Sequence, residues 1–172
     1  MIEHLWAPWR KSYIRPKKKK SGPCLFCRLI AQKTDRKNFI LLRTFHSYAV
    51  LNLYPYNNGH TLILPKRHVD NISLLSDTEK LDLLDLVEKV RAAMVPTMTP
   101  HGFNIGINLG RVAGAGIPHH LHVHLVPRWS GDANFMPIIG KTKVISESLR
   151  SVYRSLAPLL KKTASQKRSI RG

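Results

Sequence analysis

Three histidines alternate with aliphatic residues in the run His120-Leu121-His122-Val123-His124, inside the segment Pro118–Pro127. Side chains two apart on a strand share a face, so the spacing predicts His120, His122 and His124 on one side. Leu121, Val123 and Leu125 then fall on the other, facing a core. A half-buried strand that happens to be polar on its wet side is the bland alternative, and strict alternation of three imidazoles argues against it. A neutral imidazole is nucleophilic and titrates near neutral pH, which suits phosphoryl chemistry. A neighbouring carbonyl or histidine can fix the tautomer that leaves the attacking nitrogen bare.

Just before this run lies Asn108-Leu109-Gly110-Arg111-Val112-Ala113-Gly114-Ala115-Gly116. Glycine lets backbone approach a ligand closely, and successive amides in such a turn can cradle an anion. Together with Arg111 and Arg128, Gly114 to Gly116 are expected to form a phosphate cradle. No G-x-x-x-x-G-K-[ST] run is present, which excludes a P-loop. A second cluster of chemistry-bearing residues is Cys24-Leu25-Phe26-Cys27. A C-x-x-C pair supplies half of a tetrahedral zinc site, and histidines can complete it. Two buried thiols or a redox pair are the alternatives. A zinc-finger arrangement is rejected, because its histidines would follow the second cysteine by ~12 residues.

The elements that must position these groups alternate between strands and helices, without internal repeats. Residues 39–43, 48–52 and 60–64 are predicted strands, with Pro55, Asn57, Asn58 and Gly59 punctuating the last connection. Ser76 and Glu79 have the spacing of a capping box. From there Leu83, Leu84, Val87, Val90 and Met94 recur at helical spacing, until Pro96 stops the pattern. Residues 103–109 and 121–126 read as two further strands. A last helix over 145–160 is marked by Leu149, Val152, Tyr153 and Leu156. Strands in hairpin-like succession with helices between them predict an α+β domain with a largely antiparallel sheet.

A chain of 172 residues with 43% hydrophobic content bounds this to one compact domain. The expected division is a basic N-terminal segment 1–22, a domain 23–160 and a basic C-terminal tail 161–172. Of the 28 Lys and Arg residues, seven lie in the first 20 positions and five in the last 12. The net charge of +18 is therefore concentrated in segments that read as solvated tails. Such tails could also make non-specific, salt-sensitive contact with nucleic acid. No apolar run approaches the roughly 20 residues that span a bilayer, so no membrane partner is expected. Without signal-peptide features, and with only two closely spaced cysteines, a reducing cytoplasm is the expected location.

His120 to Val126 resembles the signature of the histidine-triad (HIT) family, His-φ-His-φ-His-φ-φ with φ hydrophobic. Val50 to His60 is similar to the family's first nucleotide-facing strand pair. Leu5-Trp6-Ala7-Pro8-Trp9-Arg10 and Pro127 to Phe135 resemble the branch that contains diadenosine tetraphosphate phosphorylases. The resemblance implies a five-stranded antiparallel sheet with flanking helices, assembled as a homodimer. It implies His122 as nucleophile on an α-phosphorus, forming a covalent nucleotidyl-histidine, with His120 and His124 supporting it. Substrate contacts are then expected from Asn52, His60, Asn108, Gly114, Ala115, Gly116, Arg128 and Trp129. In zinc-containing relatives, positions matching His68 and His120 complete the site begun by Cys24 and Cys27. The chain departs from the fragile-histidine-triad hydrolases at Ala115-Gly116, where those carry a glutamine, and His119 stands where related sequences often carry an acid. Phosphorolysis of a dinucleoside polyphosphate is favoured over hydrolysis. A nucleoside phosphoramidate or sugar nucleotide as substrate, and a catalytically idle nucleotide- or nucleic-acid-binding module, are the alternatives.

Overall fold

The computed structural model describes residues 22–133 and 145–169, with side chains to residue 162. The N-terminal segment before Gly22, including Leu5 to Arg10, and the stretch Asn134-Phe135 lie outside the described residues. Five strands, β1 (Ile40–Arg43), β2 (Ser47–Leu51), β3 (Thr61–Pro65), β4 (Gly102–Ile107) and β5 (Val123–Arg128), form one sheet in the order β1-β2-β3-β5-β4. Every neighbouring pair is antiparallel. Among the described residues three α-helices flank the sheet: α1 (Leu25–Ala31), α2 (Asp77–Met98) and α3 (Leu149–Ser169). This is the five-stranded antiparallel α+β architecture expected from the sequence.

Strand periodicity sorts the core into two layers. Leu41, Ala49, Leu51, Ile63, Leu121, Val123 and Leu125 face α2 and α3, packing on Leu86, Val90, Met94, Val152 and Leu156. Ile40, Tyr48, Val50, Leu62 and Leu64 face the other way and pack on Phe26 of α1. Strands β2 and β3 are buried at all five positions each, because both of their faces are covered. The short α1 is tied down by polar contacts. The Tyr48 hydroxyl donates to the Phe26 carbonyl at 3.0 Å, and Arg43 donates to the Ile30 and Gln32 carbonyls at 2.7 and 2.8 Å. The two arginine bonds satisfy carbonyls at the C-terminal end of α1, which a helix leaves without partners.

Helix α2 starts at the expected capping box. The Ser76 hydroxyl accepts from the Glu79 amide at 3.3 Å, and the Glu79 carboxylate accepts from the Ser76 amide at 2.8 Å. Arg67 adds two donors to the same carboxylate, and this arginine together with the Ser76 amide holds the Glu79 carboxyl down at about 2. The two long helices differ from the sequence reading in three respects. Pro96 lies inside α2, which runs on to Met98 and ends at Thr99 in a left-handed conformation (φ 44°) with its amide on the Val95 carbonyl. A proline this near the end removes only the donor to the Ala92 carbonyl, within the last turns of the helix, and the Thr97 hydroxyl adds a bond to the neighbouring Ala93 carbonyl at 2.7 Å. Leu84 is 63% exposed, and Leu86 at 0% takes the buried place. Finally, α3 begins at Leu149 instead of residue 145 and continues past residue 160, where a separate tail was expected.

Candidate active site

The histidines lie on the α1 face of the sheet, on the extended segment that leads into β5. His120 is fully buried, His122 is 5% exposed, and both rings pack edgewise or tilted on Phe26 at centroid distances of 5.5 Å. The alternation expected from the sequence is therefore present, with Leu121, Val123 and Leu125 on the core side. Only the strand boundary shifts. β5 begins at Val123, and the Leu121 amide bonds to the Val69 carbonyl at 2.6 Å instead of entering the ladder.

Hydrogen-bond partners fix each tautomer. His122 Nδ1 lies 2.8 Å from the His120 carbonyl, which can only accept, so Nδ1 carries the proton and Nε2 presents a bare lone pair. Burial pushes the His122 imidazole below its ordinary pKa, which keeps that lone pair available at neutral pH. A second relay orders His124. The Tyr56 amide donates to His60 Nδ1 at 3.0 Å, with Asn52 Nδ2 3.3 Å from the same atom. His60 Nε2 therefore holds a proton and donates to His124 Nδ1 at 2.9 Å. That leaves His124 Nε2 as a donor, and it is buried with no partner among the described residues. The rings of His122 and His124 are 5.0 Å apart. One imidazole offers a lone pair and its neighbour offers a proton, an arrangement suited to attack on phosphorus with stabilisation of a displaced or developing oxyanion.

Burial, with a smaller contribution from His122, pushes His124 down to about 4. Its unfolded value is near 6.5, so between these limits the unfolded chain binds a proton that the folded chain does not. Stability should therefore be lost as pH falls from about 6.5 toward 4, by up to about 1.4 kcal/mol per pH unit from this residue. Urea unfolding midpoints at pH 7 and pH 5 measure it. A His124→Phe variant whose midpoint falls as steeply as the parent's would show that another group is responsible.

Cys24, Cys27, His68 and His120 come together beside this site, their donor atoms all within 4.8 Å of one another. His120 Nε2 lies 3.0 Å from the Pro65 carbonyl, so it carries the proton and Nδ1 is left bare toward the thiols. The Sγ···Nδ1 separations are 3.3 to 3.5 Å, and the two Nδ1 atoms are 3.3 Å apart. Zinc bond lengths give tetrahedral edges of about 3.5 Å for S···N and about 3.3 Å for N···N. The four side chains thus fit a metal ion of that size.

The expected substrate contacts divide. His60 is 1% exposed, with its ring nitrogens engaged by the Tyr56 amide and by His124. Asn52 closes a turn by accepting from the Tyr54 amide at 3.0 Å. The Gly114 and Ala115 amides donate within their own loop, to the Arg111 and Gly110 carbonyls, whereas the Gly116 amide makes no hydrogen bond among the described residues. Asn108 stands at the end of β4 at the start of that loop. Arg128 and Trp129 are not part of the cluster. Arg128 donates to Asp132 at 2.6 and 2.7 Å and to Asn104 at 2.7 Å, and the Trp129 indole donates to the Met98 carbonyl at 3.1 Å. Arg128 is thus committed to a carboxylate and lies apart from the histidines. Tyr56, which the sequence gave no reason to single out, stacks on His124 at 5.6 Å with an interplanar angle of 5°.

The HIT domain family profile matches residues 33–131. The chain belongs to the HIT domain family. This HIT protein is 41% identical over 162 residues to the AP-4-A phosphorylase of Mycobacterium tuberculosis, covering 91% of this chain and 83% of the relative. It is 35% identical over 105 residues to an adenosine 5'-monophosphoramidase of Schizosaccharomyces pombe, covering 61% and 74%. In fold it resembles a crystal structure of a Zn-bound histidine triad family protein from Mycobacterium smegmatis, with a TM-score of 0.66 at 23% identity over 83% of this chain and 96% of that one.

Proposed function

We propose that this HIT protein is a diadenosine tetraphosphate phosphorylase acting through a covalent adenylyl-His122. The observation that carries the chemistry is the pairing of a bare His122 Nε2 with a proton-bearing His124 Nε2 that has no partner among the described residues. The 41% identity to the mycobacterial AP-4-A phosphorylase supports the substrate. His122 Nε2 attacks the α-phosphorus, the bond to the bridging oxygen breaks, and ATP departs. His124 Nε2–H donates to the oxygen on which charge develops, and the Gly116 amide and Asn108 contact the phosphate chain. Inorganic phosphate then attacks the same phosphorus, releasing ADP and returning the electron pair to His122.

Incubation with diadenosine tetraphosphate, with and without phosphate, should give ATP plus ADP only when phosphate is present. AMP plus ATP formed regardless of phosphate would make the enzyme a hydrolase, and faster turnover of adenosine 5'-monophosphoramidate would move the substrate to the phosphoramidate class. Zinc is the metal that the Cys24, Cys27, His68 and His120 set fits, and four protein ligands close its shell, giving it a structural role. The same reading makes the protein a homodimer joined along β4, an edge strand whose Ile105 is 52% exposed. Light scattering on the assayed preparation should return twice the chain mass.

A further inference from the structure

At the β1 edge of the sheet, the loop after α1 meets the first turns of α3 around a pocket of about 680 Å³. None of its lining residues belongs to the histidine cluster. Five are cations: Lys33, Arg36, Lys37, Arg150 and Arg154. None of the five reaches a carboxylate at ion-pair distance among the described residues. The acid in the lining, Asp35, is already held by Arg43 at 2.7 Å. Five uncompensated positive charges facing one concavity repel one another, and folding has no use for that repulsion.

Helix α3 continues the pattern. Its 21 residues include no Asp or Glu, and its first turn holds Arg150, where the positive end of the helix dipole disfavours a cation. Arg150, Arg154 and Lys161 recur four and seven residues apart, on one helix face, and all three are exposed. At 1.5 Å per residue that row is about 16 Å long. The pocket alone would suit a compact phosphate group. A row of cations leading away from it calls for a ligand whose negative charges repeat along its length. The two rings lining the pocket are turned inward, Phe39 against Tyr153 at 6.0 Å with Tyr153 only 8% exposed, and present no platform for stacking bases.

We propose that this pocket and the α3 row bind the backbone of single-stranded nucleic acid without reading its sequence. The contacts are electrostatic, so binding releases counterions and weakens steeply with salt. The test is fluorescence anisotropy of a labelled oligothymidylate with the full chain over a range of salt concentrations. Arg150→Gln combined with Arg154→Gln should weaken binding roughly twentyfold at about 0.1 M salt and make the log–log salt slope shallower by about 1.4, at ~0.7 per lost contact. Lys33→Gln with Lys37→Gln should act similarly from the loop side, and neither pair should lower the melting temperature or alter nucleotide cleavage. Oligothymidylate binding that survives both pairs, but is lost when Lys17 to Lys20 are changed to glutamine, would assign the contact to the N-terminal segment and overturn the proposal. Binding of phosphatidylserine vesicles or inorganic triphosphate without any binding of the oligonucleotide would overturn it equally.

Discussion

A His122→Ala variant should turn over diadenosine tetraphosphate on the order of 10³-fold more slowly or worse, about 4 kcal/mol of lost transition-state stabilisation. The size of the effect follows from the geometry. His122 alone combines a proton fixed on Nδ1 by the His120 carbonyl with a bare Nε2 in the cluster, and nothing adjacent can replace it. The His124 lone pair is already occupied by His60, and His120 points its bare nitrogen at the cysteines. Substrate affinity should change far less than kcat, because the phosphate contacts proposed for Gly116 and Asn108 are untouched. Quenching the parent enzyme during turnover with denaturant at alkaline pH should trap an adenylyl group on protein that later acid treatment releases. Near-parent activity in the variant, or a label that persists without His122, would remove it as the nucleophile.

The purified protein should contain about one zinc per chain, and Cys24→Ser should remove most of it while lowering the melting temperature by roughly 10 °C. The cluster joins α1, the turn after β3 and the segment entering β5. Loss of one thiolate opens the site and leaves α1 to the packing of Phe26 and the Tyr48 and Arg43 hydrogen bonds. Activity should fall as well, because Phe26 of α1 packs directly on the His122 ring. Elemental analysis and differential scanning calorimetry read the two effects separately. Protein free of metal with an unchanged melting temperature would leave the two cysteines as ordinary packing residues.

How much of this was legible in the sequence depended on whether the information was local. The alternation of histidines and aliphatics placed the imidazole face correctly, because the period of two belongs to the strand itself. The capping box at Ser76 and Glu79 was equally local, and it held. Boundaries were weaker. Pro96 read as a stop, yet its missing donor falls where α2 is about to end. Roles set by pairing between distant strands were not legible. His60 was expected to touch substrate, but β3 lies beside β5, with Leu62 opposite His124, and this register brings the two imidazoles together. Nor was the pairing of Arg128 with Asp132, four residues on, evident from the residue types. A free arginine and a neutralised one look the same in sequence.

His120 contributes its ring to the metal-ligand cluster and its carbonyl to the proton on His122. The partners of that ring are remote along the chain: Cys24 is 96 positions away and His68 is 52. Contacts closed across such separations form late, after nearer pairings have already reduced the loop entropy. The nucleophile therefore becomes competent only when almost the whole domain is in place. The residue that sets the proposed nucleophile's proton is thus itself anchored by contacts from across the domain, and the geometry of the site is tied to the native state.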